Sequence, residues 1–580
     1  MITKEEFTKT LGLDKYQLEL LAVPLMKLMK IDRFNELLEK AGSKEGFDFI
    51  DTALKELNIK IEVSQEELNR IPKKGAFMVA ANHPFGALDD MILLSVIARQ
   101  RPDFKLMTDS NAENIPQLKA NFIPFSLDEQ LDKKLNSNEL KTVFDYLQQG
   151  NSIGIFPASE VSQFQATKRK IIDKEWSPIA GKFIKKAKVS VVPVYISGSN
   201  SLLFNILGMI NSSLRDAKLP SEMLNKKDET VTVRIGNPIR PEQIDDFSNT
   251  SQMLRFLRAK TYALGSTLKI SPFFRNPFKI KAIPEPIIEA IPVEKLEEDL
   301  QGLRDECLII THQNYEVFIA EAIDIPHILR EIGRLREITF REEGEGTNRS
   351  IDIDEYDVHY LHLFIWDKEA RKVVGAYRIG RGAELYNKFK LKGFYLNELF
   401  KIDAGFTPIL KKSLEMGRSF IIKEYQGKHA SLFLLWKGVL VYLKSNSEYR
   451  YLIGPVSISN SFSTLSKELM VKFIKQHHYD WELAKFVKPR KKFKPKLKSV
   501  DSEILLNQNF KNLKDLDSQI SEIEATNAKV PILLKKYISQ NSKIICFNID
   551  PKFNDALDGF LIMDLQSVPE DTFKMLDKTG

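Results

Sequence analysis

The sequence is poor in cysteine, with only Cys307 and Cys546 among its 580 residues. Two cysteines cannot build a disulfide framework, and such sparse usage fits a reducing compartment. Because no spacing of cysteine and histidine is typical of a metal site, we expect no bound metal. The sequence also lacks a run of about 18 consecutive apolar residues, which a membrane-spanning helix needs. Its N-terminus lacks the pattern of a signal peptide, so we expect a cytoplasmic protein.

A large excess of charge of one sign is absent as well. The 85 Lys and Arg residues exceed the 78 Asp and Glu residues by only seven, and the basic residues are dispersed. This distribution, without a known binding module, argues against a nucleic-acid partner. A mild basic excess suits an anionic partner, such as a membrane surface or an acidic carrier protein. The length allows two or three hydrophobic cores.

The most informative motif is ANHPFGALDD at residues 81–90, where His83 precedes Asp89 by six positions. Apolar runs flank the motif, which indicates a strand, a turn and then a helix. A neutral imidazole can take a proton from a hydroxyl when a carboxylate orients it and stabilises the imidazolium. We therefore predict that His83 and Asp89 form a general-base pair. The alternative is a turn histidine beside an N-capping aspartate.

A second motif follows the strand-like run NSIGIF and opens a polar turn, with a basic cluster a few residues further on. The candidate substrate-binding residues of this segment are Phe156, Pro157, Ser159, Glu160, Lys168, Arg169 and Lys170. Another strand-like run, VSVVPVYISGSNS, lies around Pro193. Alternatively, the basic residues Lys168, Arg169 and Lys170 are ordinary surface charges without a role in binding.

These blocks, in this order over roughly residues 15–265, resemble the 1-acyl-glycerol-3-phosphate acyltransferase family. The resemblance implies that the His and Asp are catalytic and that an FPEG-like block binds the acyl acceptor. The family usually places four residues between His and Asp, whereas here Leu88 takes that position and Asp89 follows. FPAS followed by Glu160 replaces FPEG. Both departures resemble the branch of the family that acylates lyso-aminolipids, which puts a glycerophosphate substrate in doubt.

A segment dense in proline, aromatic and basic residues, Lys269–Pro286, divides the chain, because its prolines prevent a continuous helix. We predict an N-terminal domain at 1–268, a linker at 269–295 and a C-terminal domain at 296–580. Strand-like runs at 75–82, 104–108, 151–156, 189–197 and 230–235 alternate with helical patterns. That layout predicts an α/β fold for the N-terminal domain. A helix near Ile325–Arg336, several strands including SFIIKEY and a long helical run predict an α+β fold for the C-terminal domain.

The C-terminal half contains VVGAYRIG, FYLNELF, LEMGRSFIIKEYQ, LFLLWKGVLVYL and GPVSIS in sequence. The series resembles the GNAT-like N-acyltransferases that make the lyso form of ornithine or glycine lipids and, more distantly, acyl-homoserine-lactone synthases. The preceding block DIDEYDVHYLHLFIWD matches their Asp-rich entry at Asp352, Asp354 and Asp357. Departures are Ala376, where the family often has Thr, and a basic insert near Lys492.

Amide formation from a thioester needs a deprotonated amine held in line with the carbonyl, and a donor for the oxyanion. Glu398 and Glu415 could accept the ammonium proton or hold the ammonium in place. Arg378 and Arg418 could grip the amino acid's carboxylate or the pantetheine phosphate. The alternative is a structural Glu–Arg network, since charged clusters are often merely structural. Trp436 fits a helix core better than an acyl pocket.

The two resemblances imply a bifunctional acyltransferase, which would make a phosphorus-free aminolipid. The C-terminal domain would acylate ornithine or glycine with a 3-hydroxyacyl thioester, and the N-terminal domain would then acylate the 3-hydroxyl. No cofactor is expected to be bound, and acyl carrier protein or coenzyme A would carry the acyl groups. The enzyme would lie peripherally on the inner face of the cytoplasmic membrane. The alternatives are a 1-acyl-glycerol-3-phosphate acyltransferase with an accessory C-terminal domain and a non-enzymatic, hemolysin-type membrane-binding protein.

Overall fold

The computed structural model describes residues 2–10, 19–42, 44–108, 116–125, 137–165, 170–210, 212–268, 284–427, 429–495, 501–506, 512–526 and 528–570. Its contacts divide the chain into two compact units. The N-terminal unit comprises 1–272, 496–509 and 521–527, and the C-terminal unit comprises 273–495, 510–520 and 528–580.

The helices are α1 (Lys4–Thr10), α2 (Ala22–Leu28), α3 (Ile31–Ala41), α4 (Gly46–Glu56), α5 (Gln65–Leu68), α6 (Ala87–Leu93), α7 (Ser137–Gln148), α8 (Pro178–Ala187), α9 (Leu202–Ile210), α10 (Ser212–Ala217), α11 (Leu219–Leu224), α12 (Pro241–Asp245), α13 (Thr250–Leu264), α14 (Val293–Leu303), α15 (Pro326–Glu342), α16 (Gly382–Phe389), α17 (Leu396–Leu399), α18 (Thr407–Lys411), α19 (His429–Ser445), α20 (Thr464–His477), α21 (Ser502–Leu506), α22 (Leu513–Ile523) and α23 (Ile532–Ser539). The strands are β1 (Lys60–Glu62), β2 (Phe77–Ala81), β3 (Lys105–Thr108), β4 (Phe122–Pro124), β5 (Ile153–Ile155), β6 (Gln163–Gln165), β7 (Lys170–Ile172), β8 (Ser190–Ile196), β9 (Thr230–Ile235), β10 (Leu308–His312), β11 (Tyr315–Glu321), β12 (Leu361–Asp367), β13 (Lys372–Arg381), β14 (Phe400–Ile402), β15 (Ser413–Ile421), β16 (Tyr451–Ile458), β17 (Val487–Pro489), β18 (Lys543–Asp550) and β19 (Ala556–Asp564).

The N-terminal unit contains a seven-stranded sheet in the order β1-β9-β8-β2-β5-β3-β4. The strands from β8 to β4 are parallel, and β9 is antiparallel to β8. The five predicted strand-like runs correspond to β2, β3, β5, β8 and β9, which confirms the α/β class. Strand β2 is buried along its whole length, as expected for a central strand of a parallel sheet that is covered on both faces.

The register of this sheet positions the predicted motifs. Strands β5, β2 and β8 are neighbours and run in the same direction. Their carboxyl ends therefore meet at one edge, where α/β sheets commonly bind ligands. The segments that follow these strands begin at residues 82, 156 and 197. The separate antiparallel pair of β6 and β7, which the sequence did not predict, follows at 163–165 and 170–172.

The contact division differs from the predicted domain boundaries. Helix α14 begins at Val293, inside the predicted linker 269–295, and residues 269–283 lie outside the described part of the chain. Helix α21 and residues 521–526 belong to the N-terminal unit, although they fall within the predicted domain 296–580. A buried ion pair explains part of this assignment, because Lys260 Nζ lies 2.5 Å from Glu522 Oε2.

The C-terminal unit contains an eight-stranded sheet in the order β10-β11-β12-β13-β15-β16-β19-β18. Neighbouring strands are antiparallel, except for the parallel pair β15 and β16. The predicted α+β class is confirmed. Strand β15 begins at Ser413, six residues before the predicted segment SFIIKEY. The polar residues Glu415 and Arg418 obscured its first half, because they are buried through ion pairs and hydrogen bonds that are not evident in the sequence.

Strands β15 and β16 are paired over only part of their lengths. Their pairing runs from Ser413↔Tyr451 to Glu415↔Ile453, whereas β15 continues to Ile421 and β16 to Ile458. A register shift between Ala376 and Arg378 marks a bulge opposite Gly417–Phe420, the part of β15 just beyond this pairing. Bulges re-aim side chains and end pairing, and they are common beside active sites. We refer to the unpaired stretch between β15 and β16 as the strand gap.

Gly454 lies where the strand gap begins. A Cβ at this position would lie 2.1 Å from the backbone oxygen of Met416. The strand backbone would have to shift to relieve this clash, which costs stability. We therefore expect Gly454→Ala to lower the melting temperature of the full-length protein clearly. Gly302→Ala in α14 is the matched control, because no atom lies within 4 Å of its Cβ position. Alanine in a helix interior is favoured by about 0.5–1 kcal/mol over glycine, so this variant should melt no lower than wild type. Equal melting temperatures for the two variants would contradict the close strand approach.

Candidate active sites

The first candidate site forms at the carboxyl end of β2. The Nδ1 atom of His83 lies 2.9 Å from Oδ2 of the fully buried Asp89. The same Oδ2 accepts hydrogen bonds from the backbone N–H groups of Phe85 and Gly86, at 2.8 and 2.9 Å. Gly86 has φ of 98°, a left-handed conformation that favours glycine. Asp89 thus stabilises the start of α6 and also contacts His83, so both sequence interpretations describe real contacts.

The imidazole of His83 is held from several directions. Its ring stacks on Phe156 with a centroid distance of 4.1 Å. Its backbone N–H donates to Asp173 Oδ1 at 3.2 Å, and its carbonyl accepts from the N–H of Ser162 at 2.7 Å. The side chain retains 15% of its surface exposed. Because Nδ1 is buried against Asp89, Nε2 is the nitrogen that can meet a substrate.

The surrounding charges favour protonation of His83. Burial lowers the pKa of the imidazole, but the contact with Asp89 and the charges of Asp89, Asp90 and Asp173 outweigh burial, so the pKa is raised above 6.5. Burial raises the pKa of Asp89, while His83 and the two backbone N–H groups oppose this effect. The arrangement suits a base that must hold a proton briefly, because a nearby carboxylate stabilises the imidazolium.

The turn after β5 brings the FPAS segment to the same edge. Phe156 stacks on His83, and the carbonyl of Pro157 accepts from the N–H of Ser177 at 2.8 Å. Ser159 has φ of 58°, and its N–H closes the turn on the carbonyl of Phe156 at 3.0 Å. This part of the predicted substrate-binding set therefore lies around the imidazole.

Glu160 ends the turn in a network with two cations, Lys174 and Arg215. Their nitrogens lie 2.9 and 3.2 Å from Glu160 Oε2. Burial raises the pKa of Glu160, but the two cations outweigh burial and lower it. Lys170 is exposed at the start of β7, and the predicted residues 168 and 169 lie outside the described part of the chain.

The sequence did not predict Asp173, Lys174 or Arg215. Asp173 is buried, and its Oδ1 accepts from the Ser162 hydroxyl at 2.5 Å as well as from the His83 N–H. These residues lie 90 to more than 130 positions after His83 and belong to no recognisable motif, so only the fold reveals that they converge.

The second candidate site lies in the C-terminal unit and contains a buried network of three arginines and three aspartates. Its members are Arg336 of α15, Arg378 of β13, Arg418 of β15, and Asp352, Asp354 and Asp357 of the predicted Asp-rich block. Arg378 lies 2.5 Å from Asp354 and 3.3 Å from Asp357, measured between side-chain nitrogen and oxygen atoms. Arg418 lies 3.2 Å from Asp352 and 3.3 Å from Asp354. Both predicted arginines are therefore already paired with aspartates, and Arg336 was not predicted.

Glu415 is enclosed beside this network. Its Oε2 accepts from the hydroxyl of Tyr360 at 2.5 Å, and its Oε1 accepts from the N–H of Leu396 at 2.7 Å. Burial raises the pKa of Glu415 to about 7, against the lowering effect of these hydrogen bonds and of Arg378. Glu398 is more exposed and accepts from Tyr356 and Lys552, at 3.3 and 3.0 Å.

A mostly apolar pocket opens where the strand gap begins. It is lined by Tyr377, Met416, Trp436, Val439, Leu452, Ile453, Gly454, Pro455, Tyr537 and Leu561. Trp436 of α19 thus lines a pocket, although the sequence favoured a place in a helix core. Ligand pockets are mostly apolar with few polar groups, and the lining of this pocket has that character.

Comparison with known proteins finds a family match in each half of the chain. Residues 25–271 match the family model described as acyltransferase, and residues 335–437 match the model described as acetyltransferase (GNAT) domain. A glycine N(alpha)-acyltransferase of Bacteroides thetaiotaomicron is 29% identical over 303 residues, which cover 50% of this chain and 88% of the relative. A lyso-glycine lipid O-acyltransferase of the same organism is 27% identical over 250 residues, which cover 41% of this chain and 88% of the relative.

A solved 1-acyl-sn-glycerophosphate acyltransferase from Thermotoga maritima aligns with 44% of this chain and 93% of its own, at 16% identity and a TM-score of 0.22. That likeness is too weak to support the fold assignment, which rests on the sheets and the two family models. The chain carries an acyltransferase domain followed by a GNAT domain. It is a two-domain acyltransferase.

The Arg–Asp network yields a stability prediction. Burial raises the pKa of Asp357, but Arg336 and Arg378 outweigh burial and hold it far below 3.8. A depressed pKa contributes stability above the unfolded-state value of about 3.9, and this contribution is lost as pH falls. Asp357→Asn leaves buried arginines underpaired, so we expect a loss of about 3–5 kcal/mol at pH 7, measured by denaturant unfolding. The loss should shrink as the pH falls below about 4.

Glu297→Gln is the control, because Glu297 forms an exposed pair with Arg371. We expect no measurable change in this variant. If both variants unfolded at the same denaturant concentration, the buried network would not stabilise the C-terminal unit.

Proposed function

We propose that this protein is a bifunctional acyltransferase that makes a phosphorus-free aminolipid with a glycine headgroup. The observation that carries the proposal is the similarity of one chain to a glycine N-acyltransferase and to a lyso-glycine lipid O-acyltransferase. The activities of these two relatives can act in succession, because an N-(3-hydroxyacyl) amino acid has a free hydroxyl that a second acyl group can esterify.

In the amide-forming step, which we assign to the C-terminal unit, the α-amine of glycine attacks a 3-hydroxyacyl thioester. The apolar pocket at the strand gap would take the acyl chain, and the charged network beside it would face the amino acid. Arg378 and Arg418 would hold the substrate's carboxylate by exchanging part of their pairing with the aspartates. Glu415 would hold Tyr360 in place through its hydrogen bond to the tyrosine hydroxyl.

In the ester-forming step, which we assign to the N-terminal unit, His83 would take the proton of the 3-hydroxyl as that oxygen attacks a second acyl thioester. Asp89 would stabilise the imidazolium, which then protonates the leaving thiolate. General-base assistance of this kind is typically worth about 10²–10⁴-fold. The Phe156–Glu160 turn would position the acceptor, and Lys174 and Arg215 could bind its free carboxylate by exchanging part of their pairing with Glu160.

A basic surface supports acyl carrier protein as the donor, with a coenzyme A thioester as the alternative. Lys401 of β14 and Lys488 of β17 are direct cross-strand partners in a two-stranded sheet, and both are exposed. Like charges directly opposite each other destabilise a sheet. An acidic carrier protein would relieve this repulsion on docking. The N–H of Arg490, just after β17, donates to the carbonyl of Leu399, so this surface adjoins the segment that holds Glu398.

An exposed apolar surface supports peripheral contact with a membrane. On α9, Leu202, Leu203 and Met209 are 56%, 56% and 65% exposed. Helix α9 is tied to β6, because Asn205 Oδ1 accepts from the N–H of Phe164 at 2.8 Å. The surface thus adjoins the turn around His83, where an amphiphilic acceptor would enter. In the described ranges, no helix is both long and apolar enough to cross a bilayer.

Expression in a host without aminolipids, followed by lipid mass spectrometry, tests the proposal. Wild type should yield an N-acylglycine carrying two chains. His83→Ala should abolish the ester-forming step and leave the amide-forming step, so the single-chain N-(3-hydroxyacyl)glycine accumulates while the diacyl lipid falls at least about 10²-fold.

His327→Ala is the matched control, because His327 Nδ1 also lies 3.0 Å from a carboxylate, Asp299, but in the C-terminal unit. This variant should make the normal diacyl lipid. Full diacyl lipid from His83→Ala would exclude the assignment of His83. Production of a phosphorus-containing lipid alone would support the glycerophosphate acyltransferase instead.

The pH dependence of the ester-forming step provides a second test. His83 is the single histidine among residues 1–272, and its pKa is raised above 6.5. A general base acts in its neutral form, so kcat/KM for supplied N-(3-hydroxyacyl)glycine should rise with pH through an apparent pKa above 6.5. Asp89→Asn removes the charge that raises this pKa. The variant should show a slower reaction and a lower apparent pKa. The reaction rate is measured by the release of free thiol from the acyl thioester. An unchanged apparent pKa in Asp89→Asn would show that another group governs the profile.

A further inference from the structure

Asp558 of β19 lies beside the strand gap and was not among the residues predicted from sequence. It is the cross-strand partner of Ser457 on β16 and of Asn548 on β18. Its side chain is buried, and its Oδ1 accepts a hydrogen bond from the Ser457 hydroxyl at 2.7 Å. Ser457 lies four residues beyond Ile453, where the pairing between β15 and β16 ends. The Ser457–Asp558 pair is therefore located along the unpaired stretch of β16.

Arg418 belongs to β15, the strand at the other border of the gap. Arg418 lies three residues beyond Glu415 on β15, has φ of 52°, and stacks over the rings of Tyr395 and Phe553. Its charge acts on Asp558. A substrate in the gap would thus lie near Arg418 of β15 and near the carboxyl group of Asp558 on β19, which is hydrogen-bonded to Ser457 of β16.

The charges around Asp558 differ from those of the Arg–Asp network. Asp550 at the end of β18 and Glu345 after α15 add negative charge, and Arg418 is the cation that acts on Asp558. Burial raises the pKa of Asp558 to about 7, with a further rise from Asp550 and a lowering effect of Ser457 and Arg418. Burial raises the pKa of Glu345 to about 8, and the negative charges of Asp558 and Asp550 contribute to this rise. The Arg–Asp network pairs three arginines with three aspartates, whereas Asp558, Asp550 and Glu345 interact with one another as like charges.

We propose that Asp558, oriented by Ser457, is the group that receives the proton from the acceptor's ammonium in the amide-forming step. This inference rests on the proposed function and adds to it the identity of the proton acceptor. The ammonium gives one proton to the Asp558 carboxylate, and the free amine attacks the thioester carbonyl. The C–N bond forms and the C–S bond breaks, and the second amine proton leaves with the thiolate as free thiol. Asp558 then returns its proton to water.

The geometry favours Asp558 over the carboxylates predicted from sequence. Both oxygens of Glu415 are occupied, by the Tyr360 hydroxyl and the Leu396 N–H. Glu398 is paired with Lys552 at 3.0 Å. Asp558 has the Ser457 hydroxyl as its side-chain donor in the described part of the chain. Its hydrogen-bond partner Ser457 belongs to β16, the strand that borders the gap, so Asp558 lies one strand away from the gap where the pocket begins.

The test measures both steps in the full-length enzyme, with glycine and a 3-hydroxyacyl thioester for the amide and supplied N-(3-hydroxyacyl)glycine for the ester. Wild type should show an amide-forming rate that rises with pH through an apparent pKa of about 7. Asp558→Asn should slow amide formation by about 10²–10⁴-fold, lose this rise, and leave the ester-forming rate unchanged. Asp555→Asn, in the turn three residues earlier, removes an exposed partner of Lys491 and should change neither step.

If Asp558→Asn fails to fold, Ser457→Ala tests the role of Asp558 instead. Loss of the hydroxyl removes a hydrogen bond that lowers the pKa of Asp558, so the rise in amide formation should move to higher pH. An Asp558→Asn enzyme that keeps the rate and its pH dependence, with both lost in Glu415→Gln, would overturn the inference. If wild type acylates no amino acid at all, the proposed function fails, and that result is distinct from wild-type amide formation that does not depend on Asp558.

Discussion

Compensation of buried charge is the constraint on which both candidate sites depend. A carboxylate removed from water is strongly destabilised unless donors or cations surround it. Asp89 has no exposed surface and is stabilised by two backbone N–H groups and by His83. In the C-terminal unit, three buried arginines and three aspartates provide the same compensation for one another. The side chains that can do chemistry are therefore held by the interactions that make their burial tolerable.

This constraint explains why structural and chemical interpretations of one residue need not exclude each other. Asp89 orders the start of α6 through the N–H groups of Phe85 and Gly86, and the same oxygen atom contacts His83. A carboxylate fixed in this way cannot turn away from the imidazole. Rigid support of a reacting group is what catalysis requires, because the correct geometry must exist before the substrate arrives.

The candidate site of the N-terminal unit lies where strands end, and that of the C-terminal unit lies where the pairing between two strands ends. In the N-terminal unit, the carboxyl ends of β2, β5 and β8 meet at one edge, and the turns after them converge around His83. In the C-terminal unit, two strands that begin as a parallel pair lose their pairing after Glu415 and Ile453. Backbone groups at such places lack strand partners, and the side chains beside them are free to face a ligand. The proposed ester-forming and amide-forming steps use these two openings.

The sequence by itself determined the two fold classes and the motif that contains His83 and Asp89. These features are local: strand-like runs of apolar residues, a Gly/Pro turn and an imidazole six positions before a carboxylate are visible without the fold. The first half of β15 was missed, because Glu415 and Arg418 made it look polar. Only the tertiary structure decided that Arg378 and Arg418 are paired with the Asp-rich block and that Trp436 lines a pocket. It also decided the contacts of Asp173 with His83, of Arg215 with Glu160 and of Asp558 with Ser457. Those contacts join residues from separate strands and helices, and the sheet register that brings them together is a property of the folded chain.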